Sequence, residues 1–71
     1  MDGLTHYQRA VNAKLENLIE ESKLKLKTWQ YKYRTTELTT DLKYIYIAYK
    51  TEEEIYDKLC ILRYGKRMPI P

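Results

Sequence analysis

Leu4–Tyr33 reads LTHYQRAVNAKLENLIEESKLKLKTWQYKY, and the reading of this stretch decides the fold. Wound as a helix, it puts Leu4, Tyr7, Val11, Leu15, Leu18, Ser22, Leu26, Trp29 and Tyr33 on one face, in steps of three and four residues. Ile19 lies beside the stripe, and Ser22 is its only position that is not apolar. That spacing is the mark of an amphipathic helix burying one side. Asp2 or Thr5 is placed to cap its start, with Gln8 three residues after Thr5. Residues 1–3 read as a frayed end. Glu20 to Lys23 and Glu21 to Lys25 are favourable charge spacings along the helix.

The second half of the stretch carries a competing pattern. Lys23 to Lys27 alternates polar and apolar residues, as does Trp29 to Arg34. Alternation is a strand signature. The two runs are out of phase, so one strand through both needs a bulge near Thr28. The helix needs no repair, because Leu26, Trp29 and Tyr33 continue the stripe and only Leu24 and Tyr31 fall on the far side.

Working outward, Thr35-Thr36-Glu37 reads as the turn, with Thr35 or Thr36 capping a second helix near 37–50 whose apolar positions are Leu38, Leu42, Ile45 and Tyr49. Thr51-Glu52-Glu53-Glu54 reads as a capping box that starts a third helix, 52–64. Its expected buried stripe is Ile55, Leu59 and Leu62, with Tyr56 and Cys60 beside it. Gly65 supplies the stop and Pro69 forbids continuation. The expected architecture is therefore all-α: a long N-terminal amphipathic helix with two shorter helices packed back on it. It forms a single domain over 1–65 with a short basic, proline-containing tail over 66–71. The alternative is α-β-β-α with a central hairpin.

Seventy-one residues bury only a small core. Cys60 has no second cysteine to pair with, and His6 is the only histidine, so neither a disulfide nor a metal is expected to support it. A thirty-residue helix is about 45 Å long, whereas a compact chain of this size is roughly 30 Å across. The helix must break, or a second copy must cover its overhang, so a homodimer is the expectation.

The chain has 13 Lys and Arg against 10 Asp and Glu, a net +3 that permits a nucleic-acid partner without requiring one. The longest apolar run, Tyr44 to Tyr49, is far too short to span a membrane. With no signal-peptide pattern and a lone cysteine, the expected setting is cytoplasmic, in a host cell. Lys, Tyr and Ile make up 23 of the 71 residues while Ala and Gly total 5, a composition that suits AT-rich coding and hints at a phage or mobile-element accessory protein.

Catalysis is poorly supplied. His6 and Cys60 are far apart in sequence, no glycine-rich phosphate loop exists, and no cofactor is expected. Two patches stand out. Lys23, Lys25, Lys27, Lys32 and Arg34 form a basic stretch interleaved with aromatic residues, the chemistry of phosphate neutralisation and base stacking. Helical spacing divides it between two faces, which favours a solubilising role. Phe is absent while Tyr occurs eight times. Tyr keeps a hydroxyl that wants a partner, and it is enriched at interfaces. Trp29, Tyr31, Tyr33, Tyr44, Tyr46 and Tyr49 are thus candidate protein-interface residues. The function expected is non-enzymatic: binding to a larger protein and modulating or inhibiting it. A nucleic-acid-binding accessory or a small structural component of a virion are the alternatives.

Overall fold

The computed structural model describes residues 5–71. Leu4 at the head of the stripe, the alternative cap Asp2 and the expected frayed end at 1–3 lie outside them. Two helices pack together: α1, His6–Thr35, and α2, Thr39–Tyr64. No strand occurs among the described residues, so the α-β-β-α alternative is overturned.

Helix α1 begins where the sequence signals it. Thr5 is extended and its hydroxyl accepts from the Gln8 N–H at 3.2 Å. The Gln8 side chain goes to Asn12 rather than back to the cap. Through 23–34, where alternation competes, the backbone stays helical, and the Thr28 hydroxyl donates to the Leu24 carbonyl at 2.9 Å. Lys32 and Arg34 occupy the last turn, where positive charge suits the helix dipole. Residues 36–38 form the turn.

The three-helix expectation is corrected here: one continuous helix runs from Thr39 through Tyr64. No Gly or Pro interrupts those residues, so nothing in the backbone demands a break. Thr51 does not cap. Its hydroxyl donates back to the Ile47 carbonyl at 2.9 Å, in the manner of a mid-helix threonine. Neither Thr35 nor Thr36 caps α2. Thr35 uses its hydroxyl on the Tyr31 carbonyl and the Thr36 N–H closes α1 on Lys32. The N-cap is Leu38, which offers no side-chain acceptor. Gly65 ends α2 in the left-handed conformation, φ 78°, with its N–H on the Ile61 carbonyl.

The helices run antiparallel. Arg63 meets Glu16 at 2.5 and 2.7 Å, Ser22 meets Glu52, and Gln30 meets Tyr49 as the turn is approached. The size conflict is resolved by a helix nearly as long as α1 folding back along it. The result is a rod of 57 × 17 × 15 Å with a radius of gyration of 15.4 Å.

The core is thin. Ile19 and Leu26 from α1 meet Tyr56 and Cys60 from α2, with Tyr49, Leu59, Met68 and Ile70 packed around them. Each fully buried apolar side chain contributes about 1.5–3 kcal/mol. The expected stripe of α2 is also corrected. Ile55 and Leu62 are exposed, and Glu52, Tyr56 and Cys60 face inward instead. Ser22 explains the rotation. Its hydroxyl, the one polar interruption of the α1 stripe, donates to the buried Glu52 carboxylate at 2.6 Å. Every buried side-chain polar atom among the described residues has a partner.

Two stability outcomes follow from these contacts. Ser22→Ala strands the Glu52 carboxylate and should cost about 1–3 kcal/mol in urea unfolding, with Glu52→Leu in the same chain recovering most of the loss. Leu38→Asp supplies the missing cap of α2 and should gain about 1 kcal/mol in the same measurement.

Candidate protein-interaction site

Residues 65–71 do not project as a free tail. Beyond Gly65 the chain turns back along the hairpin. Met68 and Ile70 pack on the core, the Tyr56 hydroxyl donates to the Pro69 carbonyl at 3.0 Å, and the Gln30 amide donates to a Pro71 carbonyl oxygen at 3.1 Å. This segment fills one of the two grooves between the helices as far as Gln30 and Tyr49.

Beyond that point the same side of the hairpin opens into a cleft of about 350 Å³, lined by Gln30, Tyr33 and Arg34 of α1 and by Tyr46 and Tyr49 of α2. Helical spacing assembles it. Gln30, Tyr33 and Arg34 are three and four residues apart, and Tyr46 and Tyr49 three. The floor is held by Gln30, whose amide also donates to the Tyr49 hydroxyl at 3.4 Å. Tyr33 and Tyr46 stand about half exposed at the walls. Three phenol rings give apolar walls with polar rims, Gln30 spends its two amide hydrogens on Tyr49 and Pro71 to hold those walls, and Arg34 gives a fixed positive charge. The chemistry suits an apolar or aromatic side chain accompanied by a carbonyl or carboxylate.

Of the six candidate interface residues, Tyr33, Tyr46 and Tyr49 meet in this cleft. Tyr31 points to the far side of α1 and Tyr44 to another face of α2, both mostly exposed. Trp29 is half-buried, with the Lys32 ammonium 4.9 Å from its ring centre. The basic stretch is divided as its spacing indicates. Lys23, Lys27 and Arg34 lie along one flank of α1, Lys25 and Lys32 along the other. Lys23 is paired with Glu20 at 2.9 Å, and that hydrogen bond and charge raise its pKa. Glu53 does the same for Lys50. Gln30 was missed by the sequence reading. Its neutral side chain fits no motif, and the only signal was its place one residue past Trp29, at the edge of the stripe.

Cys60 is fully buried in the core and His6 is exposed at the start of α1. Among the described residues no group of three or more His, Cys, Asp or Glu is placed to hold a metal, and no helix is long and apolar enough to cross a membrane. No family model matches the chain, and neither a curated protein nor a solved structure is significantly similar to it.

Burial raises the Tyr56 phenol above its ordinary 10.0, and the neighbouring Cys60 thiol adds to the shift. The fold therefore favours the neutral phenol. As pH rises through 10.0 the unfolded chain ionises at this position first, so the stability that Tyr56 contributes is complete below that pH and is lost above it. Tyr56→Phe should cost about 1 kcal/mol at neutral pH through the lost bond to Pro69. It should also make the alkaline fall in stability shallower than in the wild type, read from denaturation midpoints across the pH series.

Proposed function

We propose that the chain is a non-enzymatic protein that docks on a larger protein through the Tyr33–Tyr46–Tyr49 cleft and alters that protein's activity. The observation that carries the reading is the meeting of three tyrosines, Gln30 and Arg34 from two helices in one open cleft of about 350 Å³. Tyr and Arg are the side chains that most often anchor protein interfaces. A self-sufficient core has no need to leave phenol rings half exposed around a cation. The nucleic-acid alternative gains little support, because the basic residues fall on two flanks and Lys23 and Lys32 are already engaged by Glu20 and Trp29.

Immobilised wild-type chain and a Tyr33→Ser/Tyr46→Ser variant, compared on extracts of the source cells, provide the test. One protein should be retained by the wild type and lost by the variant at unchanged helicity. Adding stoichiometric chain to that purified protein should then change its activity. Retention that survives the double substitution would remove the cleft from the reading. Retention of nucleic acid instead, falling steeply with salt and abolished by Lys25→Glu/Lys32→Glu, would move the function to the basic stretch.

A further inference from the structure

Helix α2 carries a second stripe that the hairpin does not use. Tyr44, Ile47, Thr51, Ile55, Lys58 and Leu62 recur in steps of three and four along its outward face, the spacing of a helix–helix seam. Leu62 is 70% exposed, Tyr44 68%, Ile47 53% and Ile55 44%. The inward face, by contrast, spends a position on the Glu52 carboxylate. The aliphatic side of α2 is thus turned to solvent.

The rod shape leaves a large surface for the mass of the chain. The chain exposes 5736 Å². A compact monomer of 8.6 kDa exposes about 4,700 Å². The excess, about 1,000 Å², is slightly more than the roughly 800 Å² each partner buries in a standard stable interface.

The stripe is also self-complementary. Tyr44 and Leu62 lie nine residues either side of Glu53, Thr51 and Ile55 two, and Ile47 and Lys58 six and five. A two-fold axis at that level, with the copies antiparallel, sets Tyr44 against Leu62, Thr51 against Ile55, and Ile47 beside the aliphatic stem of Lys58. Large rings meet branched aliphatics at the ends, and the small Thr51 meets Ile55 near the axis. Isologous pairing of one patch with itself is the commonest route to a closed dimer.

We infer that a second copy of this chain covers the outward face of α2, giving an antiparallel four-helix dimer centred near Glu53. The dimer leaves the Tyr33–Tyr46–Tyr49 cleft, which lies on another face, open on each copy.

Sedimentation equilibrium of the wild-type chain over a dilution series should give twice 8.6 kDa. Ile55→Lys and Leu62→Lys replace exposed side chains, so each should keep its far-ultraviolet circular dichroism while raising the dimer Kd about 100-fold. Tyr31→Lys, on the far side of α1, should leave the Kd unchanged. A wild type that stays at 8.6 kDa at high micromolar concentration overturns the inference. So do larger open assemblies, and so does a dimer that tolerates both α2 substitutions or is dissociated by Tyr31→Lys.

Discussion

The hydrogen bond from Ser22 to Glu52 fixes how the two helices meet. Apolar contacts between helices tolerate sliding and rotation, because one methyl group serves nearly as well as its neighbour. A buried carboxylate does not, since leaving it unpaired costs more than most single contacts in so small a core gain. The 2.6 Å bond therefore selects one register and one rotation of α2. Tyr56 and Cys60 turn inward with Glu52, one turn apart along the helix, and Ile55 and Leu62 turn outward as a consequence. The ion pair of Glu16 and Arg63 agrees with this register but is too exposed to impose it.

The parts of the fold that were legible in the sequence are those decided locally. The middle of the α1 stripe, Val11 to Trp29, the Thr5 cap and the Gly65 stop each depend on residues within a few positions of one another, whereas Tyr7 and Tyr33 at the stripe's ends are exposed. The break before Glu52 was a misreading with an identifiable cause. Thr51-Glu52-Glu53-Glu54 would cap a helix that started there, but the same residues are comfortable inside one, and nothing nearby forbids continuation. What Glu52 does is settled by a hydroxyl thirty residues earlier. Ser22 stood out as the polar member of an apolar stripe, yet its partner lay beyond any local pattern. The cleft was legible in pieces. Its tyrosines were candidates for contact and Arg34 a candidate for phosphate, and only the antiparallel packing of the helices joins them to Gln30.

The preference for Tyr over Phe is partly structural. Tyr56 uses its hydroxyl to hold the returning segment at Pro69, and Tyr49 uses its own to accept from Gln30. Phe at either place would fill the volume and lose the bond. The remaining described tyrosines are at least partly exposed, where a ring with a hydrated edge is better tolerated than a purely apolar one. One residue type thus serves both the closing of the groove and the exposed surface.

The turn at 36–38 has a bearing on the order in which the molecule forms. A connection this short closes at little entropic cost, and each successive pair away from it encloses a longer loop. Gln30 and Tyr49 are 19 residues apart, Ser22 and Glu52 30, Glu16 and Arg63 47. Loop closure alone thus favours the tyrosine cleft as the first surface to assemble. The opposite end of the rod, where α1 runs past Tyr64, is enclosed by the longest loops and is last in that order. The cleft proposed for docking thereby sits at the end of the hairpin closed by the shortest loops.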